Sequence, residues 1–273
     1  MKKKIAPEEM FQIFKEEISL DGNLNSHTQD WRVILPLQSC KKLAGINWRY
    51  DNGATKLVII FEDFDYVIKI PYSSFYQDSC SYRYSYGDSC ATCIAEKNSN
   101  GQIGEFSACA DCEYYSQCKR FGHNVTVEPY DICGANENTP TNREWDYCQT
   151  EEWLYQQAKL QGVEACFAET RLLGFIDSHP IYAQYKGEMY GDNIVHSDKT
   201  PEERESTRNK CTQVGGYCFN VNWLTDLISF FGDEVFQRFM KFIDEYHIND
   251  LHSGNIGYIN GVPVLIDYSG FND

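Results

Sequence analysis

Positive charge is scarce in this chain: 24 lysine and arginine residues stand against 40 aspartates and glutamates over 273 residues, a net charge of −16. A surface of that sign repels phosphate backbones and anionic lipid, which argues against non-specific binding to nucleic acid or to membranes; a basic partner protein stays open. Nowhere do eighteen apolar residues run together, so a membrane span is not expected. The basic start Met1-Lys2-Lys3-Lys4 leads into Pro7-Glu8-Glu9 with no apolar core or cleavage site, so it does not read as a secretory signal. Internal repeats are absent as well. The expectation is a soluble, cytoplasmic protein.

What is present describes a globular chain. Hydrophobic residues make up 42% and aromatics 15%, enough for one good core or two modest lobes. Met10, Phe11, Phe14 and Ile18 recur at spacings of three and four, which predicts an amphipathic helix over 7–20, with Pro7 suited to its first turn. Residues 46–72 read as three antiparallel strands. Their turns fall at Asn52-Gly53-Ala54-Thr55 and at Glu62-Asp63-Phe64-Asp65. A helix follows at 151–158, then two short strands at 171–175 and 181–185, separated by a turn through His179-Pro180. Residues 187–220 are polar and are expected to be irregular. Two helices follow over 221–231 and 234–246, broken at Gly232-Asp233, and residues 257–267 read as a hairpin turning at Asn260-Gly261.

One constellation carries chemistry. Asn249-Asp250-Leu251-His252-Ser253-Gly254-Asn255 follows the last strong helix, and Asp267 ends the apolar strand Val264-Leu265-Ile266 twelve residues beyond Asn255. Phosphoryl transfer asks for one carboxylate to receive a hydroxyl proton and oxygen ligands to hold magnesium on the phosphates. Asp250, Asn255 and Asp267 are the residue types for those tasks. Singly, each also fits a bland role, because Asn and Asp favour turns and charged residues are mostly exposed.

Asp250-Leu251-His252-x-x-Asn255 resembles the catalytic loop of kinase-like phosphotransferases, particularly those of the aminoglycoside-phosphotransferase style, and Asp267-Tyr268-Ser269-Gly270 is similar to the magnesium-binding Asp-Phe-Gly motif with one extra residue. Val67-Ile68-Lys69-Ile70 resembles the third-strand lysine motif, and Gly53-Ala54-Thr55-Lys56 stands where a glycine-rich phosphate loop belongs. The resemblance implies an α+β, two-lobed protein-kinase-like fold: an N-terminal helical segment over 1–40, an N-lobe over 41–188, and a truncated C-lobe over 189–273. It implies Asp250 as base and Asn255 and Asp267 as magnesium ligands. Lys69 becomes the phosphate clamp and Glu151 its partner, with Glu152 as the neighbouring alternative. Gly53 would lie at the phosphates, Gln184-Tyr185-Lys186 at the adenine, and His252 near phosphate. The function implied is MgATP-dependent phosphotransfer to a small molecule or an atypical protein target. The alternative is a catalytically weak or dead pseudokinase that works by binding; short proteins of this look are similar to ones carried by phages, where such a chain would inhibit a host system from the host cytoplasm. The sequence departs from the pattern at Ile248, where many such enzymes place His, and in having Gly53 as the one glycine of its phosphate loop.

Seven of the twelve cysteines lie between Cys80 and Cys133, in a stretch over 73–145 without sustained periodicity. Cys90-x2-Cys93, fifteen intervening residues, and Cys109-x2-Cys112 match a four-thiolate structural zinc site inserted in the N-lobe. Cys118 is a substitute ligand, and Cys80, Cys118, Cys133 and His123 could form a second site. Cys40, Cys148, Cys166, Cys211 and Cys218 lack such spacing and read mostly as small buried residues. Zinc would contribute on the order of 10 kcal/mol to ordering the insertion. Purified protein is expected to hold one zinc per chain, and Cys109→Ser to lose it while the remainder stays folded. Elemental analysis finding under about half an equivalent would count heavily against a closed site.

Overall fold

The structure is a computed structural model. It describes residues 5–21, 24, 29–53, 55–72, 75–77, 125–127, 147–177, 179–190, 199–248 and 250–269. The proposed zinc ligands, with Cys80, Cys118, His123 and Cys133, lie outside these residues. So do His27, Ala54, His196, Asn249 and Gly270.

The architecture is α+β. Helix α1 spans Pro7–Glu17, and a π turn over Asp30–Ile34 runs into the short α2, Leu35–Ser39. Strands β1 (Trp48–Asn52), β2 (Lys56–Phe61) and β3 (Tyr66–Pro71) form the antiparallel meander expected from their β-rich runs and turns. A two-stranded ladder pairs β4 (Phe75–Gln77) with β5 (Val125–Val127). Helix α3 covers Tyr147–Gln161, followed by β6 (Thr170–Ile176) and β7 (His179–Tyr185), which complete a five-stranded sheet of order β1-β2-β3-β7-β6. Beyond it come β8 (Glu188–Met189), α4 (Pro201–Gln213), α5 (Val221–Phe231) and α6 (Asp233–Glu245). The hairpin of β9 (Ile256–Ile259) and β10 (Val262–Leu265) turns at Asn260-Gly261, and β8 pairs with its β9 edge.

The sheet has two different faces because side chains alternate along each strand. Leu57, Ile59, Phe61, Ile68, Ile70, Ile181 and Ala183 point to one face. Met10, Phe11 and Phe14 of α1, with Val33, Ile34 and Leu37, cover it and form the first apolar cluster. The opposite face carries Lys56, Lys69, Gln184 and Thr170, all buried polar groups. A second cluster joins Leu154 and Ala158 of α3 to Trp223, Phe236, Phe239, Phe242 and Leu265. Helix α3 serves both: Tyr147 packs in the first cluster and Leu154, Tyr155 and Ala158 in the second.

Three sequence expectations need correction. Residues 187–220 are not all irregular, because α4 occupies Pro201–Gln213. Its polar sequence hides the helix from an apolar-period search, but its start is marked: Thr200 caps Glu203 N–H, the Glu203 carboxylate returns to Thr200 N–H, and Pro201 follows at the first position. The β6–β7 turn lies at Asp177, with φ of 49°, rather than at His179-Pro180. His179 instead opens β7, buried, with its Nε2 2.6 Å from the Pro71 carbonyl. Helix α3 already runs from Tyr147, so Glu151 sits in its second turn rather than opening it.

Gly257 of β9 lies so close to its neighbour that a Cβ would stand 2.2 Å from the Glu188 carbonyl oxygen and 2.6 Å from Ile266 Cδ1. Its own carbonyl accepts from the buried Trp223 indole N–H at 3.0 Å, so the strand cannot shift freely. Gly257→Ala is expected to lower stability by roughly 1–3 kcal/mol, as overpacking does, read as an earlier urea midpoint.

Candidate functional site

Four charged side chains meet where the polar face of the sheet, α3 and the end of β10 converge. Register brings the two lysines to the same face: Val58 pairs opposite Lys69, and Lys56 is two residues from Val58. Lys69 Nζ lies 2.8 Å from Glu151 Oε2 and 3.0 Å from Oε1. Lys56 Nζ lies 3.2 Å from Glu151 Oε1 and reaches Asp267 at 2.9 Å from Oδ1 and 2.8 Å from Oδ2. The ion pair expected between Lys69 and Glu151 therefore forms beside Asp267. Glu152 points elsewhere, its carboxylate accepting from Leu172 N–H at 3.2 Å.

Glu151 occupies an apolar position of its helix. Tyr147, Glu151, Leu154, Tyr155 and Ala158 fall on one face, and Glu151 is fully buried between the two apolar clusters. A buried carboxylate is tolerated when paired and hydrogen-bonded. Besides the two ammonium groups, Thr170 Oγ1 donates to Glu151 Oε2 at 2.9 Å. Gln184 Nε2 braces Thr170 at 2.7 Å and donates to the Ile266 carbonyl at 2.7 Å. Gln184 is thus committed as a strut under Glu151 and Asp267. A cavity of about 380 Å³ beside Gln184 and Tyr185 runs against Ile5, Ala6 and Pro7 and includes neither Lys69 nor Asp267 among its lining residues.

The loop after α6 is tied to Asp267 through Asn255. Its side-chain amide donates to the Asp250 carbonyl at 2.7 Å and to Asp250 Oδ2 at 3.0 Å. Its backbone carbonyl accepts from Ile266 N–H at 2.8 Å and Asp267 N–H at 3.3 Å. His252 is exposed; its Nδ1 accepts from Gly254 N–H at 3.0 Å, and its Nε2 stands 3.5 Å from Asp250 Oδ1. On the far side, Tyr268 O–H donates to the Ala168 carbonyl at 2.7 Å, and Ala168 N–H donates to Leu265 at 2.7 Å. These bonds lock the segment bearing Asp267 to the chain between α3 and β6. Gly53 closes the β1–β2 turn, donating its N–H to the Lys56 carbonyl at 3.0 Å.

Electrostatics follow from the pairing. Burial raises the pKa of Asp267, yet Lys56 and Lys69 outweigh it and hold the carboxyl well below the usual range. Burial lowers that of Lys56, yet Asp267 and Glu151 outweigh it and raise the ammonium above an ordinary lysine. Glu151 is pushed up by burial, with Lys56 and Lys69 pulling the other way.

For magnesium the donors fit in kind, since Asp267 and Asn255 can offer oxygen, which magnesium takes. Both Asp267 oxygens, however, already contact Lys56. Among the described residues no group of three or more Asp, Glu, His or Cys is arranged to hold a metal. No helix among them is long and apolar enough to cross a membrane. Cys40, Cys148, Cys166 and Cys211 are buried, and Cys218 is partly so. Lys56 and Thr170 are the site residues that sequence reasoning missed. The signal for Lys56 was its parity with Val58 across the 62–65 turn from Lys69. Comparison of the chain with protein-family models, with curated proteins and with solved structures finds no match.

The Lys56–Asp267 contact makes a pH-dependent contribution whose sign is set by the depressed Asp267 pKa. The stabilisation is full above the unfolded carboxyl value of about 3.9 and is lost as the pH falls through the lower folded-state value. The stability gap between wild type and Asp267→Asn, measured by denaturant titration, should be constant from pH 7 to about 5 and shrink below about 4. A gap that widens on acidification would contradict this assignment.

Proposed function

We propose that the chain is a kinase-like phosphotransferase that uses MgATP on a small molecule or an atypical protein target. The observation that carries this reading is the buried Lys69–Glu151 ion pair on a third strand and the following helix, set beside Asp267. The five-strand order β1-β2-β3-β7-β6 and the Asp250–Asn255 bond agree with a two-lobed kinase-like arrangement. In that arrangement residues 41–188 form the N-lobe and 189–273 contribute to the C-lobe, with a zinc-stapled insertion held by Cys90, Cys93, Cys109 and Cys112.

In this reading Lys69, oriented by Glu151, holds the α- and β-phosphates. Asp250, with a half-exposed carboxylate, accepts the proton of the attacking hydroxyl as its oxygen bonds to the γ-phosphorus and the bond to the β-phosphate oxygen breaks, releasing ADP. Asn255 fixes the Asp250 carboxylate through the bond to Oδ2. Magnesium, held by Asp267 and Asn255, would supply charge neutralisation on the phosphates.

A second reading is a pseudokinase that works by binding. It draws on Lys56, whose ammonium occupies the Asp267 carboxylate. The acidic surface suits a basic partner in that case.

MgATP at about a hundred times its dissociation constant should stabilise the wild type by about 2.7 kcal/mol, read as a thermal shift, and Lys69→Met should remove it. Asp250→Ala should keep the shift but lower turnover by roughly 10²–10⁴-fold. Absence of any MgATP shift in the wild type would sink the phosphotransferase reading, and full biological activity in an Asp250→Ala, Asp267→Ala double variant would sink catalysis.

A further inference from the structure

The charged cluster holds one cation more than the proposed chemistry uses. Lys69 with Glu151 suffices as a phosphate clamp, yet the Lys56 side chain is only 6% exposed and lies in the same place. An ammonium group has three N–H donors. Lys56 meets three carboxylate oxygens: Asp267 Oδ1 at 2.9 Å, Asp267 Oδ2 at 2.8 Å and Glu151 Oε1 at 3.2 Å. No donor is left for a phosphate, and no Asp267 oxygen is left uncontacted. Lys56 and Lys69 together balance Glu151 and Asp267, so the cluster is neutral as it stands. Without Lys56 it would carry one net negative charge, and the Asp267 side chain is 32% exposed even with Lys56 in place.

We infer that Lys56 is a built-in counter-ion that excludes a divalent cation from Asp267 until a polyphosphate draws the ammonium away. The inference rests on the phosphotransferase reading for its second half alone. The buried Lys56 ammonium cannot leave Asp267 without another anion to meet it, because a buried charge without a counter-charge is strongly disfavoured. A nucleotide polyphosphate is an anion that could receive it. Lys56 then meets phosphate oxygens, and the Asp267 oxygens become available. Nucleotide and cation each remove the obstacle to the other, and such coupling is reciprocal by thermodynamic necessity. The device differs from ordinary metal dependence, in which an open carboxylate binds the cation first.

The test uses the whole 273-residue chain as purified and Mn²⁺, whose free-ion paramagnetic resonance signal falls on binding. Without nucleotide, the wild type should bind Mn²⁺ at least tenfold more weakly than Lys56→Met. Lys56→Gln, which keeps much of the volume and a hydrogen-bond donor, should behave like Lys56→Met and carries the comparison if the methionine variant does not fold. Adding Asp267→Asn to either variant should return Mn²⁺ binding to the wild-type level. A non-hydrolysable ATP analogue should tighten Mn²⁺ binding to the wild type by tenfold or more, and tighten the Lys56 variants much less. Equal Mn²⁺ affinity in the wild type and both variants would overturn the counter-ion role. If the variants gain Mn²⁺ through Asp267 but the analogue leaves the wild type unchanged, the counter-ion role stands and the nucleotide reading falls.

Discussion

Glu151 puts a carboxylate where no water reaches it, on a helix face that otherwise carries Tyr147, Leu154, Tyr155 and Ala158. Such a group survives only if every strand and loop around it delivers a partner, and here they do. Strand β3 brings Lys69, β2 brings Lys56, β6 brings Thr170, and Lys56 extends the network to Asp267 after β10. Sheet register, helix orientation and hairpin placement are thereby coupled to one buried charge. Removing a partner would leave the others uncompensated, which is more damaging than losing a surface ion pair.

This coupling explains how two separate apolar clusters act together. The N-terminal helices bury the outer face of the sheet, while α3 to α6 and the β9–β10 hairpin bury around Trp223 and Phe239. Between them lie the charged cluster and the bonds that Gln184 and Asn255 make to the backbone of Ile266 and Asp267. A boundary built from polar bonds is directional, so it fixes relative placement more narrowly than apolar contact does. The same directionality makes it sensitive to an ion or phosphate that offers Lys56 or Asp267 a different partner.

Much of the fold was legible because its signals are local. The β-rich runs Leu57–Phe61 and Tyr66–Ile70, joined by an acidic turn, marked β2 and β3, and the stripe of Phe236, Phe239, Met240 and Ile243 marked α6. Helix α4 was missed because its faces are nearly uniformly polar, and a hydrophobic period cannot reveal a helix that buries little beyond Thr207 and Cys211. His179-Pro180 looked like a turn by composition, but burial of the imidazole against Pro71 carries the pair into β7. At the site, Lys69, Glu151, Asp250, Asn255 and Asp267 could be singled out by order and spacing. Lys56 carries no motif, and its one signal, parity with Val58 opposite Lys69, is weak because a lysine at the start of a strand is ordinarily a solvated edge residue.

The sequence by itself determined the supply of elements: which stretches alternate, which repeat every three to four residues, where Gly and Asn permit turns, and which ionisable residues are available in what order. These are properties of neighbours along the chain, and they act before any distant contact forms. Only the tertiary structure decided which charges share a site. Lys56 and Asp267 are 211 positions apart, and Glu151 lies 82 positions from Lys69. Contacts over such separations depend on strand register and on how α3 is seated between the two apolar clusters. A shift of one residue in β2 would turn Lys56 to the apolar face and leave Asp267 open, with no change in composition or spacing to announce it.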